Sequence, residues 1–167
     1  MFMTLRPETP SGLNHLVLNV RDLDRAHDFW TNYLGFCCTG AWQKTAPDGK
    51  PSGRMRFYSG VSEGKLRHHD VGLIEAPSLP DVPLRPQVLH HVAITYPSRE
   101  SWKRQIEFLV SQGVVPFRQV VRGAAHSAHL HDWDGNEIEL VYEHPRAEWE
   151  HDINAALNHA VAEPVGQ

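Results

Sequence analysis

The feature that most constrains the fold is an internal repeat: the pattern at residues 13–20 recurs at residues 89–96, 76 positions later. Both segments have the mixed apolar alternation of a strand, and each is followed by a polar turn and an amphipathic helix pattern. Each helix pattern ends at a glycine, Gly35 in the first copy and Gly113 in the second, which suits the left-handed residue that ends many helices. Three short β-type runs follow each helix. Each copy therefore predicts one βαβββ module.

The repeat also predicts how the chain is organised. Module one spans residues 12–76 and module two spans residues 88–143, with residues 77–87 between them as a linker. The linker contains four prolines, which favour a stiff connection over a helix or strand. Beyond module two, residues 146–162 carry apolar side chains at helical spacing and predict a single C-terminal helix. The 167 residues are thus expected to form one domain of two paired modules.

Composition excludes several classes of partner. Sixteen Lys and Arg residues stand against 20 Asp and Glu, and no basic run exceeds two residues, so the chain lacks the basic stripe of a nucleic-acid-binding protein. No stretch approaches the ~20 apolar residues of a membrane span. The two cysteines, Cys37 and Cys38, are sequence neighbours and form no disulfide framework. We expect a soluble, cytoplasmic protein with no nucleic-acid or membrane partner.

Three side chains fall at matched places in the two modules and have the chemistry of metal ligands. His15 and His91 lie on the first strand of each module, and Glu139 lies on the last strand of module two. A lone strand histidine is more often satisfied by the backbone, but a matched pair together with a costly buried carboxylate favours a metal. Two imidazoles and one carboxylate form the open facial triad of non-haem iron enzymes. Gly72 aligns with Glu139, so module one offers no fourth ligand.

The segments that carry these residues resemble a known family. The chain resembles the vicinal oxygen chelate superfamily, and within it the extradiol ring-cleavage dioxygenases of the catechol 2,3-dioxygenase type, over roughly residues 13–149. An Asp-Gly-Asn-x-Ile-Glu-Leu ending is shared across the superfamily, whereas a His-His-Asp segment and a Pro-Arg-x-x-Trp segment are more specific to the dioxygenases. The resemblance is carried by residues 13–15, 67–73, 89–92, 132–140 and 145–149.

The resemblance implies a fold, a reaction and a set of site residues. The fold would be of the α+β class, with two paired βαβββ modules forming a curved mixed sheet around a metal site, plus the C-terminal helix. His15, His91 and Glu139 would hold Fe(II), with Mn(II) as the alternative metal. His69 would be the pocket acid/base, since a histidine that titrates near neutral pH can move the protons of a catechol. The substrates would be a small catechol-like aromatic compound and O₂.

The sequence departs from the dioxygenases at positions expected to contact the substrate. His129 stands where a tyrosine is usual, and it remains a catalytic candidate because an imidazole also donates a hydrogen bond or a proton. Arg122 stands where a histidine is usual and is a candidate for binding an anionic substituent. His126 is interpreted as alternating with His129 along one strand, and so as a second substrate-binding candidate. Because His129 and Arg122 differ from the residues usual in the dioxygenases, a different substrate or a non-oxygenase reaction is also consistent with the sequence.

Two other functions compete with ring cleavage. A glyoxalase-like lyase or isomerase would use the same metal site to stabilise an enediolate, although that class typically uses the fourth ligand that Gly72 does not supply. A metal-free drug-binding resistance protein would need aromatic cleft walls and no ligand triad. The exposed sheet edges that such modules leave fit a homodimer. The sequence favours the metal-dependent dioxygenase.

Overall fold

The computed structural model describes residues 13–49, 51–80, 89–158 and 160–163. The chain divides into two compact units, Met1–Ser78 and Leu79–Gln167, and each contains one of the predicted modules. Residues 12 and 50 of module one, residues 81–87 of the predicted linker, residue 88 of module two and residue 159 of the predicted C-terminal helix lie outside the described residues. Among the helices of the described part, none combines the length and the apolar character that crossing a membrane requires.

The first unit is built on a four-stranded sheet with one helical segment. Its elements are β1 (Leu16–Val20), α1 (Leu23–Asp28), which continues as a π-helical turn (Phe29–Tyr33), β2 (Cys37–Thr45), β3 (Pro51–Ser59), β4 (Val61–Ser62), β5 (Lys65–Leu66) and β6 (Val71–Glu75). The sheet order is β1-β6-β3-β2, in which β1 and β6 are parallel and the other pairs are antiparallel. Strands β4 and β5 form a small separate hairpin.

Helix α1 forms where the sequence predicts it. The Asp22 carboxylate caps the first turn by accepting hydrogen bonds from the backbone N–H groups of Asp24 and Arg25 at 2.9 and 3.0 Å. Gly35 has a φ of +79°, a left-handed conformation that ends the helical segment at low steric cost. The apolar face contacts β3 and β6 and is buried there; its buried residues are Leu23, Ala26, Phe29 and Trp30.

The second unit repeats this connectivity. Its elements are β7 (His91–Thr95), α2 (Arg99–Ser111), β8 (Arg118–Arg122), β9 (Ala125–His131), β10 (Glu137–Glu143), α3 (Arg146–Trp149), α4 (Ile153–Asn158) and β11 (Ala160–Glu163). The sheet order is β11-β8-β9-β10-β7, and β7 and β10 are parallel. In both units the first strand of the module therefore lies beside the last. The βαβββ topology that the repeat predicts is confirmed.

Helix α2 covers one side of this second sheet. Ser98 caps its first turn, since the hydroxyl accepts a hydrogen bond from the Ser101 N–H at 3.1 Å. Trp102 is 1% exposed, and its indole Nε1 donates to the backbone oxygen of Leu140 at 2.9 Å. This bond joins the helix to β10, so that residues of β10 on the helix side are core residues. Residues of β10 with the opposite parity, such as Glu139, lie on the other side of the sheet.

The C-terminal segment differs from the single helix predicted for residues 146–162. The structure contains two short helices, α3 and α4, followed by the strand β11. Strand β11 pairs with β8 in antiparallel register, with Val161 opposite Val121. The edge of β8 offers backbone donors and acceptors that would otherwise lack sheet partners, and this tertiary gain outweighs the helical pattern of the sequence.

Candidate metal centre

In the second unit, two of the predicted metal ligands are in contact. Strand β7 begins at His91, and β10 lies parallel beside it with Glu137 opposite His91 and Glu139 opposite Ala93. His91 Nε2 is 3.0 Å from Glu139 Oε2. The His91 side chain is 36% exposed and that of Glu139 is 16% exposed. A nitrogen donor and a carboxylate oxygen therefore meet at a position that solvent and small molecules can reach.

His129 lies beneath this pair and contacts two carboxylates. It is opposite Glu139 in the pairing of β9 with β10 and is only 2% exposed. Its Nδ1 is 2.8 Å from Glu137 Oε1, and its Nε2 is 3.5 Å from Glu139 Oε1. Burial lowers the pKa of His129, and the hydrogen bond with Glu137 opposes this shift without cancelling it. The structure thus brings the predicted catalytic candidate next to the predicted ligand.

Two residues of this cluster, Arg118 and Glu137, were not predicted from the sequence. Arg118 lies opposite His129 on β8, and its Nη2 is 3.2 Å from the His129 ring nitrogens and 3.6 Å from Glu137 Oε1. Glu137 could have been found, because a residue two positions before Glu139 must share its face of the strand. Arg118 could not have been found from the sequence, because its position opposite His129 depends on the register in which β8 pairs with β9.

The residues predicted to bind substrate do not join this cluster. Arg122 lies at the far end of β8, where its Nη1 donates to the backbone oxygen of Leu157 at 3.3 Å. The expectation that His126 shares a face with His129 is wrong, because an interval of three residues places two strand side chains on opposite faces. The His126 ring instead lies on the helix side, with its centroid 5.8 Å from that of Trp102. Burial there lowers the pKa of His126.

In the first unit, His15 and His69 are neighbours. Their ring centroids are 4.3 Å apart, and the Phe57 ring lies 5.0 Å from that of His69. His15 immediately precedes β1 rather than lying on it, and its Nδ1 is 2.7 Å from Asn14 Oδ1. Partial burial and the neighbouring imidazoles of His15 and His68 lower the pKa of His69. The predicted acid/base thus adjoins the predicted ligand of its own unit.

The two units differ at the position of the carboxylate ligand. In the first unit Val17 pairs with Gly72, and in the second Ala93 pairs with Glu139, so the alignment of Gly72 with Glu139 is correct. A Cβ atom on Gly72 would lie 2.5 Å from Met55 Cε and 3.2 Å from Val17 Cγ2. The first unit therefore has neither a carboxylate nor space for one at this position.

A sequence comparison identifies the family, and structure comparisons agree with its fold. The family profile described as Glyoxalase/Bleomycin resistance protein/Dioxygenase superfamily matches residues 12–140. The chain belongs to this superfamily. A comparison with curated proteins finds none that matches. The predicted α+β fold and the predicted relationship to the vicinal oxygen chelate proteins are confirmed, whereas the closeness to the extradiol dioxygenases stays a prediction.

Solved structures share this fold at low sequence identity. The chain is similar to a glyoxylase/bleomycin resistance protein/dioxygenase domain from Frankia sp. EAN1pec, with 17% identity and a TM-score of 0.62 over 81% of this chain and 94% of that chain. It is similar to a glyoxalase/dioxygenase from Nostoc punctiforme, with 18% identity and a TM-score of 0.60 over 87% and 99%. The fosfomycin resistance protein FosX from Listeria monocytogenes, complexed with Mn(II) and sulfate, is 18% identical, with a TM-score of 0.56 over 84% and 98%.

Proposed function

We propose that this protein is a divalent-metal-dependent extradiol dioxygenase that opens the ring of a catechol-like small molecule with O₂. The metal, Fe(II) or Mn(II), would be held by His15 of the first unit and by His91 and Glu139 of the second. Membership of the superfamily supports a metal-dependent reaction. The choice of ring cleavage within that class rests on the residues around the ligands.

The donor set suits such a metal. Two imidazoles and one carboxylate are the usual ligands of non-haem Fe(II), and they leave positions open for two adjacent substrate oxygens and for O₂. His91 Nε2 and Glu139 Oε2, 3.0 Å apart, are close enough to bind one ion at about 2.0–2.2 Å each. When bound, the metal supplies Lewis-acid chemistry that favours the ionised catechol. The blocked position at Gly72 supports an open site with three protein ligands rather than four.

The observation that carries the proposal of ring cleavage is the imidazole of His69 beside His15. A catechol must lose protons to bind a metal through both oxygens, so the reaction needs a proton acceptor next to the ligands. His69 offers a ring nitrogen there, with its ring centroid 4.3 Å from that of His15. In this role His69 takes a proton from a substrate hydroxyl and returns it later in the reaction.

The polar cluster of the second unit would orient the substrate. His129 is held at 2.8 Å from Glu137, which fixes the orientation of its ring, and its other ring nitrogen lies 3.5 Å from Glu139, so His129 would position both carboxylates beside the substrate. Arg118 presents its guanidinium on the same side of the sheet and would supply the positive charge that the sequence predicts at Arg122. An arginine in this position favours a substrate with a carboxylate or another anionic substituent.

The same arginine favours a second candidate function, the modification of a phosphonate-type antibiotic. A FosX structure that is 20% identical, with a TM-score of 0.55, contains Mn(II) and 1S,2S-dihydroxypropylphosphonic acid. An anionic substrate of this kind needs a cation besides the metal, and Arg118 offers one. A glyoxalase-like lyase or isomerase would use the same metal ligands and remains the third alternative.

Anaerobic reconstitution followed by substrate screening tests the proposal. Protein loaded with Fe(II) or Mn(II) is mixed with O₂ and a panel of catechols with and without a carboxylate, and O₂ uptake and the absorbance of the ring-opened product are recorded. We expect equimolar consumption of O₂ and substrate, and none by the His91→Ala variant treated in parallel. Turnover of fosfomycin or of a thiol-methylglyoxal adduct, without turnover of any catechol, would contradict ring cleavage.

We further propose that the chain forms a homodimer. Strands β1 and β2 lie at the two edges of the first sheet, and strand edges are common places for chains to associate. Light scattering at micromolar concentration should give the mass of two chains of 18.9 kDa each. A mass of one chain across the concentration range would exclude it.

A further inference from the structure

His90, His91 and Glu137 form a second group of metal-ligating side chains, and all three belong to the second unit. One ligand atom of each lies within 4.8 Å of the ligand atoms of the other two. The Nδ1 atoms of His90 and His91 are 2.7 Å apart. Two donors bound to one ion at about 2.0–2.2 Å are at most about 4.4 Å apart, so a shift of well under an ångström brings the group to binding distance. Both histidines are exposed and can make this adjustment.

We propose that these three side chains form a second divalent-metal site, which takes ions of the Zn(II) class and competes with the catalytic site for His91. The proposal rests on the proposed function only in naming the catalytic site as the competitor. His91 approaches Glu139 through Nε2 and His90 through Nδ1. A neutral imidazole has one lone pair for a metal, so His91 serves one of the two sites at a time.

The first unit lacks the two residues that join His91 in the proposed second site. There the residue before the predicted ligand His15 is Asn14, whose Oδ1 lies 2.7 Å from His15 Nδ1 and can orient that ring as outer partners of metal ligands do. In the second unit His90 takes the place of Asn14, and an imidazole thereby replaces an amide. Asp70, the counterpart of Glu137 in the first unit, accepts hydrogen bonds from Ser59, Gly60 and Arg67.

Glu137 has a carboxylate oxygen suited to the proposed ion. Its contacts with His129 and Arg118 are both made by Oε1. A carboxylate has about four lone pairs on two oxygens, so it can accept from His129 and still bind a metal. Zn(II) accepts both imidazole and carboxylate ligands, and it stands above Fe(II) and Mn(II) in the order of affinity for a given nitrogen and oxygen site. The site therefore favours Zn(II) over the catalytic metals.

Occupation of this second site would inhibit the enzyme. The ion would draw His91 toward His90 and Glu137, and the catalytic set would keep only His15 and Glu139. Two protein ligands hold Fe(II) or Mn(II) poorly. Zinc bound to His90, His91 and Glu137 would thus act by taking His91 from the catalytic metal.

The His15→Ala variant isolates the second site, because it removes the ligand that the first unit contributes to the catalytic set. We expect this variant to bind one Zn(II) per chain in a calorimetric titration. The His15→Ala/His90→Ala variant should bind zinc more than about 100-fold more weakly, beyond the roughly 10–100-fold loss typical of an outer partner. As a matched pair in the same background, Glu137→Gln should lose zinc and Glu139→Gln should retain it.

The outcomes separate this site from the catalytic one. Equal zinc affinity of the His15→Ala and His15→Ala/His90→Ala variants would overturn the second site, as would loss of zinc on Glu139→Gln but not on Glu137→Gln. Circular dichroism and thermal unfolding check that each variant is folded. Wild-type protein that takes up no O₂ with any catechol, while the variants bind zinc as expected, would refute the dioxygenase and support the second site.

Discussion

His129 lies directly opposite Glu139 in the antiparallel pairing of β9 with β10, and its Nε2 is 3.5 Å from Glu139 Oε1. Glu137, two residues earlier on the same strand, contacts the other ring nitrogen at 2.8 Å. One buried imidazole therefore bridges two carboxylates. A change at His129 would therefore alter the surroundings of the proposed ligand Glu139.

Replacing His91 by Ala or Glu139 by Gln should abolish tight binding of Mn(II). Each change removes one of three proposed protein ligands, and we expect a loss in affinity of more than about 100-fold. Electron paramagnetic resonance of free Mn(II) measures the bound fraction. His131→Ala is the control, because His131 lies on the same face of β9 and is not in the ligand set. Unchanged metal content in the His91→Ala variant would contradict the assignment.

Replacing His69 by Ala should leave metal binding intact and lower the rate of catechol turnover by about 10²–10⁴-fold, the range for a positioned proton-transfer group. The pH profile of turnover should lose one limb, since the titrating group is gone. His151→Ala provides the control, because His151 is exposed and lies outside both groups of proposed site residues. Full O₂ uptake by the His69→Ala variant would remove His69 from the mechanism.

Replacing Arg118 by Met should weaken the binding of catechols that carry a carboxylate. A hydrogen bond to a charged group contributes about 1.5–3 kcal/mol, so KM for these substrates should rise by about 10–100-fold, with a smaller effect on plain catechol. The Arg122→Met variant is the control and should show no such discrimination, since Arg122 binds the backbone of Leu157 instead. A larger rise in KM for the Arg122→Met variant than for the Arg118→Met variant would support the predicted role of Arg122 in binding an anionic substituent.

Replacing Gly72 by Ala should destabilise the protein by about 1–3 kcal/mol, toward the lower end because the Met55 side chain is flexible. The added Cβ would lie 2.5 Å from Met55 Cε. Gly60→Ala is the control, because the nearest heavy atom to its Cβ would be Phe36 Cε1 at 3.9 Å. Urea unfolding of the two variants measures the difference in their free energies of unfolding. Equal values would show that the protein accommodates a methyl group at Gly72.

Acid should weaken the first unit through the ion pair of Glu75 and Arg54. Arg54 Nε donates to Glu75 Oε2 at 2.8 Å, and this hydrogen bond holds the pKa of Glu75 below its usual range. Since the folded pKa is lower than the unfolded one, the pair stabilises the protein above the unfolded pKa of about 4.3. That contribution is lost as the pH falls through the folded pKa.

The Glu75→Gln variant tests this pH dependence. Its unfolding free energy, measured in urea at a series of pH values from neutral to acid, should fall less steeply below about pH 4.3 than that of the wild type. Parallel curves for the two proteins would assign the acid sensitivity to other carboxylates.

The topology could be predicted because it depends on short-range patterns. Two copies of strand, capped helix and glycine are visible in the sequence, and Gly35 and Gly113 both have positive φ values, of +79° and +81°. The pairing of His91 with Glu139 also follows, because the first and last strands of a module are neighbours. The repeat does not specify the exact residue at which a strand begins. The sequence therefore predicts His15 on the first strand, whereas β1 begins at Leu16.

The rest of the site depends on long-range register. Arg118 reaches His129 only because β8 pairs with β9 in one particular alignment, which no local pattern reveals. His90 is not governed by strand alternation, since β7 begins one residue later. His126 is a different case, because strand alternation itself excludes a shared face for two residues three positions apart.

The strand β11 has a consequence for how this protein can be handled. It completes the sheet of the second unit by pairing with β8. A chain shortened before Ala160 would leave the backbone groups along β8 without those partners, as a template for a strand from another molecule. We expect truncated protein to associate with other copies along β8 more readily than protein that retains Ala160–Glu163.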